Sequence, residues 1–236
     1  MKAIILAGGK GTRLQSVVSD IPKPMAPVGG KPFLEYLIRQ LLLWQISEII
    51  LSVGYKKESI MSYFSNGVDW GAAISYIEES VPLGTGGAIK KAFSSVTDTD
   101  ILILNGDSFF DADISALARY HHQKNATATM AILNMKETGR YGRVVVSAEG
   151  KIVSFLEKGN SITGLINTGI YILNRKILPL IPDGVVSFET GVLPQLVGNG
   201  LYGSEMDGFF IDIGIPSDYL YADAHPHLLR SQLRYE

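Results

Sequence analysis

The sequence predicts an α/β protein, with a Rossmann-like, mostly parallel central sheet flanked by helices and a mixed or antiparallel extension. Three observations lead there. Short, wholly apolar runs such as Ala3 to Leu6 and Ile101 to Leu104 read as strands buried on both faces. Between such runs apolar residues recur at helical spacing, so strand and helix alternate up to Lys124, the rhythm of parallel strands with crossover helices. After Ala126 strand-like segments follow one another with few helices between them, as a mixed or antiparallel sheet requires.

In chain order, Ala3 to Leu6 is the first strand. It begins like a secretory leader, but Gly8 and Gly9 cut the apolar stretch short of the ~7–15 residues such a leader needs. Phe33 to Trp44 carries Phe33, Leu34, Leu37, Ile38, Leu41 and Leu42 at helical spacing, and Pro32 suits a first turn. Glu48 to Val53 is the next strand, and Lys56 to Phe64 a helix with Ile60, Met61 and Phe64 on one side. Ala73 to Ile77 is a third strand, and a helix follows Gly86 and Gly87 as far as Phe93. Ile101 to Leu104 is a fourth strand and Ser115 to Lys124 a helix. Thr127 to Leu133, Arg143 to Val146, Ile152 to Phe155 and Leu165 to Leu173 read as strands. Tyr219 to Leu229 reads as a packing helix, placed for a subunit contact. With no linker, repeat or low-complexity stretch, one domain spans 1–236, in two functional halves, 1–125 and 126–236.

Composition removes several classes of function. A chain of 236 residues buries roughly 70–75% of its unfolded surface and needs no metal or disulfide staple. Hydrophobic residues at 46% and charged residues at 19% exclude wholesale disorder and coiled coil. Lys and Arg number 21 against 23 Asp and Glu, a net charge of −2, so no nucleic-acid polymer is expected as partner and positive charge for a small anion must be local. The absence of cysteine excludes thiolate catalysis and Cys-ligated zinc, and fits a cytoplasmic setting. No apolar run approaches the ~20 residues of a membrane span, so no membrane partner is expected.

The chemistry concentrates after the first strand, in Leu6-Ala7-Gly8-Gly9-Lys10-Gly11-Thr12-Arg13. Glycines let backbone N–H groups approach phosphate oxygens, and Lys10 and Arg13 add charge beside them. A bare strand-to-helix turn would explain the glycines alone. A P-loop is ruled out by spacing, because no Lys-Ser or Lys-Thr pair follows. The dinucleotide fingerprint fails too, since Leu14 stands where its third glycine belongs. Downstream, Pro22 and Pro24 bracket Lys23 and hold it on a stiff, extended segment, as a phosphate ligand or a solvated turn residue.

These residues resemble the sugar-nucleotidyltransferase (nucleoside-diphosphate-sugar pyrophosphorylase) family: Ala7-Gly8-Gly9-x-Gly11-Thr12-Arg13, then Pro22-Lys23-Pro24. Further similar blocks are Pro82 to Ala88, Asn105-Gly106-Asp107, Glu157-Lys158, Asn167-Thr168-Gly169 and Phe210 to Gly214. Within that family, Asp20 to Pro27 and the short length are similar to bacterial heptose-1-phosphate guanylyltransferases. Leu14-Gln15-Ser16, where many relatives carry Leu-x-Pro, separates the chain from the thymidylyltransferase type.

The resemblance implies the nucleotide-diphospho-sugar transferase fold, with 1–125 mainly binding nucleotide and 126–236 mainly binding sugar. The implied partners are a nucleoside triphosphate, GTP by the subfamily, and a sugar 1-phosphate, D-glycero-α-D-manno-heptose 1-phosphate. Their reaction gives NDP-sugar and pyrophosphate by in-line attack on the α-phosphorus. Alignment and neutralisation of two anions suffice for this, without a covalent nucleophile. Arg13, Lys23 and Asp107 are the implied catalytic residues. Leu6, Ala7, Gly8, Gly9, Gly11, Thr12, Arg13, Glu79, Pro82, Leu83, Gly84, Thr85, Gly87, Asn105 and Gly106 are the implied nucleotide contacts, with the bare second loop lying on the base. Lys23, Gly142, Glu157, Lys158, Asn167 and Thr168 would meet the sugar phosphate, although Gly159 replaces the usual proline after Glu157-Lys158.

Asp107 follows an apolar strand, where ligands of open α/β sheets bind, or serves as a turn former. Asp212, flanked by Ile211 and Ile213, needs a partner: a metal, a helix end or an ion pair. They lie 105 positions apart, and the resemblance implies that together they hold Mg²⁺. Asp111 and Asp113 are assigned to the surface, as are His121, His122, His225 and His227, while Met130 and Met135 fill the core. A homo-oligomer, a dimer, is the expected assembly.

Three other readings stay open: mannose-1-phosphate guanylyl transfer or another base and sugar, a regulatory subunit without turnover, and a nicotinamide enzyme. The four charged residues Arg13, Lys23, Asp107 and Asp212 argue against the second, and the glycine spacing against the third. The chain leaves no room after Asp212 for a hexapeptide-repeat β-helix, so no second acetyltransferase activity is expected.

Overall fold

The structure, a computed structural model, describes residues 1–156 and 163–233. The strands in chain order are β1 (Ala3–Ala7), β2 (Pro27–Val28), β3 (Lys31–Pro32), β4 (Glu48–Val53), β5 (Ala73–Glu78), β6 (Asp100–Asn105), β7 (Ser108–Phe110), β8 (Ala128–Met135), β9 (Arg143–Val146), β10 (Ile152–Leu156), β11 (Gly164–Asn174), β12 (Leu201–Glu205) and β13 (Phe210–Asp212). The α-helices are α1 (Phe33–Leu43), α2 (Lys57–Phe64), α3 (Gly84–Ser94), α4 (Ile114–Gln123), α5 (Pro216–Ala224) and α6 (His227–Gln232).

The first half builds a parallel sheet. β1 pairs in parallel with β4 on one side and β6 on the other, and β4 pairs in parallel with β5. Alternation along β1 divides the core. Ala3, Ile5 and Ala7 face α1, α2 and α4, while Ile4 faces α3 and the turns between Arg175 and Leu196. Wholly apolar strands follow, because both faces of the sheet are covered.

The second half is the mixed extension that the run of strands predicts. β11 pairs antiparallel with β6, β8 and β9, β10 pairs antiparallel with β9, and β12 joins β8 in parallel. A bridge between Lys151 and Tyr202 brings the start of β10 back toward β12. The two-strand ribbon β7–β13 crosses between the halves, with Asp212 opposite Ser108.

Several expectations need correction. The final helix is two helices, because Pro226 lacks an N–H and drives His225 to φ −127°, ψ 51°, out of the helical region. Lys23 is not extended but opens a single 3₁₀ turn, Lys23–Met25. Pro24 sits in its first turn, where a missing N–H costs nothing. The helix after the second glycine loop starts at Gly84, so its glycines lie inside it. His121 is not solvated: it is buried, its Nδ1 bonded to the Thr129 hydroxyl at 2.8 Å and its Nε2 3.4 Å from Asp100. Asp113, exposed as expected, caps α4 by accepting from Ala116 N.

Candidate active site

A cleft of about 350 Å³ opens at the carboxyl ends of β1 and β6, where an open α/β sheet binds its ligands. One wall is the first glycine loop, Gly8 to Arg13. Gly11 there has φ +60°, and a Cβ on it would lie 2.7 Å from the Lys23 Cβ. Only glycine lets the loop turn left-handed and lie against the lysine turn. Lys10 and Arg13 line this wall, and Arg13 is exposed with no described protein partner. That is the local positive charge that the overall balance of −2 required.

The floor is Asn105-Gly106-Asp107 with Lys23 and Gly214. Gly106 N donates to Leu6 O at 3.0 Å, which joins the ends of β6 and β1. Lys23, 9% exposed, directs its ammonium onto Asp107 Oδ2. The β7–β13 ribbon supplies the long-range step: Ile213 N donates to Asp107 O at 2.9 Å, which sets Asp212 next to that pair. Burial and the negative charge of Asp107 push the Asp212 carboxyl up to about 6, against the opposing effect of the Lys23 charge. The two carboxylates expected to act together are therefore brought together. Asn105 Oδ1 is buried without a hydrogen-bond partner among the described residues.

The other wall is the start of α3, through Pro82, Gly84, Thr85 and Ala88, together with Glu79. The glycines of this motif serve packing as much as access. Gly84, at φ +69°, would drive a Cβ into Val186 O, and a Cβ on Gly87 would lie 2.5 Å from Gly184 O. Glu79 accepts from Ser52 Oγ at 3.1 Å and from Leu83 N at 3.0 Å, so it also fixes the approach to α3.

Most expected nucleotide contacts converge on this cleft; Ala7, Leu83 and Gly87 do not line it. Lys10, Pro24, Ala88 and Gly214 do, and the sequence reading did not place them there as ligands. Lys10 carried a signal, its charge within the glycine loop, whereas Ala88 and Gly214 carried none of their own.

Of the expected sugar residues, Lys23 lines the cleft, while Gly142, Asn167 and Thr168 form an adjoining group outside its lining. Asn167 N donates to Gly142 O at 3.2 Å. The β11 register shifts between Asn167 and Tyr171, and there Thr168 O accepts from Ser108 Oγ at 3.2 Å, next to Asp107. Asn167 Nδ2 donates to the Tyr171 hydroxyl at 2.7 Å. The Thr168 side chain is buried and its hydroxyl donates to Ala131 O at 2.8 Å, so it helps to hold the sheet. Glu157 and Lys158 lie outside the described residues. Arg140, unremarked in the sequence, pairs with Asp218 beside Asp212.

A glycine-rich wall with cations beside it, next to a floor bearing a carboxylate, suits phosphoryl and nucleotidyl transfer. The model of the nucleotidyl transferase family matches residues 2–228. The chain belongs to the nucleotidyl transferase family. It is 45% identical over 221 residues to the D-glycero-α-D-manno-heptose 1-phosphate guanylyltransferase of Aneurinibacillus thermoaerophilus, covering 93% of this chain and 95% of that one. The enzyme of the same name from Campylobacter jejuni is 42% identical, covering 94% of this chain and 98% of that one. The crystal structure of HddC from Yersinia pseudotuberculosis complexed with GMP-PN superposes with a TM-score of 0.85 at 36% identity, covering 94% of this chain and 98% of that one. This nucleotidyltransferase therefore has the fold that the resemblance implied. Among the described residues no helix is long and apolar enough to cross a membrane.

Proposed function

We propose that this nucleotidyltransferase transfers the guanylyl group of GTP to D-glycero-α-D-manno-heptose 1-phosphate, giving GDP-heptose and pyrophosphate. The observation that carries the reading is the convergence of Lys23, Asp107 and Asp212 beside the Gly8–Arg13 loop. The similarity to two heptose 1-phosphate guanylyltransferases over nearly their whole lengths supports the choice of base and sugar.

The glycine loop would cradle the triphosphate through its backbone N–H groups, with Lys10 and Arg13 over the β- and γ-phosphates. Arg13 would carry the charge that develops on the leaving pyrophosphate. Lys23 would leave Asp107 for the phosphate of the sugar or the α-phosphate, holding the attacking oxygen in line. Its short 3₁₀ turn, backed by Gly11, restricts where that ammonium can go.

The donor set suits Mg²⁺. Asp107 and Asp212 offer hard carboxylate oxygens, and burial together with the Asp107 charge raises the Asp212 carboxyl, a cost that a bound cation would relieve. No group of three or more His, Asp or Glu gathers among the described residues, so phosphate oxygens and water would complete the coordination. When bound, the cation would neutralise phosphate charge and polarise the α-phosphate. The reading places the enzyme in the cytoplasm, where nucleoside triphosphates are made.

Pyrophosphate release, measured with Mg²⁺ for five nucleoside triphosphates against heptose, mannose and glucose 1-phosphates, tests the proposal. Signal confined to GTP with heptose 1-phosphate supports it. Signal elsewhere in the grid replaces base or sugar, and no signal from a folded, nucleotide-binding protein overturns turnover itself.

A further inference from the structure

The segment from Asp183 to Glu189 runs along α3 and grips its first turn. Asp183 pairs with Lys90 at 2.5 Å. Val186 exchanges two backbone hydrogen bonds with the start of the helix: its N–H donates to Leu83 O and its carbonyl accepts from Gly86 N, each at 2.8 Å. At the end of the segment, the Thr85 hydroxyl donates to Glu189 Oε2 at 2.6 Å and accepts from Phe188 N at 2.8 Å. Ser187 Oγ donates to the same carboxylate oxygen at 3.2 Å. A carboxylate at this end of α3 also meets the positive end of the helix dipole.

Gly84 and Thr85 line the cleft, whereas Glu189 does not. A helix begun on Gly-Thr-Gly-Gly has little intrinsic preference for its geometry, so its first turn relies on contacts from outside the helix. Glu79 and the neighbouring segment both fix the wall, and the segment's charge-assisted hydrogen bond reaches Thr85, which lines the cleft.

We propose that Glu189 is a positioning residue for nucleotide recognition, acting through the Thr85 hydroxyl to hold the first turn of α3 against the bound nucleotide. The inference rests on the guanylyl-transfer reading only for which nucleotide is bound. A glutamine still accepts the Thr85 hydrogen bond and an alanine does not, so the two substitutions separate this role from bulk packing.

The test compares Glu189→Ala, Glu189→Gln, Thr85→Val and the Glu189→Ala/Thr85→Val double variant in the whole chain. Nucleotide affinity is read by equilibrium binding of a fluorescent, non-hydrolysable GTP analogue, with KM and kcat for both substrates and the melting temperature alongside. Loss of one such hydrogen bond predicts an affinity about threefold to tenfold weaker for Glu189→Ala, with a matching rise in KM for GTP. The KM for the sugar phosphate and kcat stay within about twofold, Glu189→Gln recovers most of the loss, and the double variant is no weaker than Thr85→Val. A purely structural role lowers the melting temperature and the active fraction while leaving both KM values in place. Unchanged affinity in Glu189→Ala, no recovery in Glu189→Gln, or multiplying single effects overturns the proposal. If Glu189→Ala does not fold, Glu189→Leu, which fills the space without an acceptor, takes its place against Glu189→Gln. If the wild type binds another nucleoside triphosphate more tightly, the series is read with that analogue, which separates a wrong base from a wrong role for Glu189.

Discussion

Replacing Lys23 by methionine should raise the affinity of the nucleotide-free protein for a divalent cation while lowering turnover. In the free protein the Lys23 ammonium lies on Asp107 and within electrostatic reach of Asp212, so it stands where a cation would bind. Methionine keeps the unbranched stem of the side chain and removes its charged end. Two unit charges 4 Å apart interact by about 4 kcal/mol at an effective dielectric of 20 and about 1 kcal/mol in water. The Asp107 side chain is 33% exposed, which moves the value toward the lower end. A gain of about 1–2 kcal/mol corresponds to cation binding roughly 5-fold to 30-fold tighter. Turnover moves the other way: loss of one charge-assisted phosphate contact, about 1.5–3 kcal/mol, lowers kcat/KM by roughly 10-fold to 150-fold. Mn²⁺ binding followed by electron paramagnetic resonance, without nucleotide, reads the first effect, and pyrophosphate release reads the second. Circular dichroism checks the fold, and Asp107→Asn should lose the Mn²⁺ signal. Mn²⁺ affinity unchanged or weakened in folded Lys23→Met refutes the reasoning, because the ammonium and the cation would then not share the carboxylates.

Three further outcomes follow from the same structure. Asp212, pushed up to about 6, is protonated below that pH and cannot then hold a cation, so pyrophosphate release should fall as pH drops through about 6. Because proton and cation compete, tenfold more Mg²⁺ should move that acid limb down by up to about one pH unit; a limb indifferent to Mg²⁺ removes Asp212 from the cation site. Gly84→Ala combines a left-handed φ of +69° with overlap onto Val186 O, and should cost about 1–3 kcal/mol, read as a melting temperature roughly 2–12 °C lower. A stable Gly84→Ala protein would mean that the 183–189 segment shifts freely. Burial holds His121 below the usual histidine value, so its contribution to stability is full above about 6.5 and is lost as pH falls through the lowered value. The melting temperature of the wild type should therefore drop more steeply between pH 7 and pH 5 than that of His121→Asn, and parallel slopes would refute this.

Much of the fold is legible in local patterning. β4 begins and ends where the run Glu48 to Val53 does, and β1, β6, α1 and α4 lie within a residue or two of their apolar patterns. The strands β7 and β13 went unread because three residues each carry no measurable period. The 3₁₀ and π turns between Arg175 and Leu196 have no repeating pattern to betray them either. His121 looked solvated beside His122 and Gln123, yet α4 turns it inward onto Thr129 of β8, a contact that no neighbour in sequence announces.

The candidate site divides in the same way. The sequence by itself determined the backbone capable of meeting phosphate, the cations beside it and the two acidic blocks, because glycine content and residue chemistry are properties of neighbours along the chain. The tertiary structure alone decided that Asp107 and Asp212, 105 positions apart, are neighbours, through a ribbon that pairs Ser108 with Asp212. It also decided that Lys23 lies on Asp107, that Thr168 faces the interior, and that the second glycine motif packs against Val186 and Gly184. The physical reason is common to all four. Spacing records which residues can share a turn or a strand, whereas proximity across the fold is set by sheet register and by close packing between distant segments.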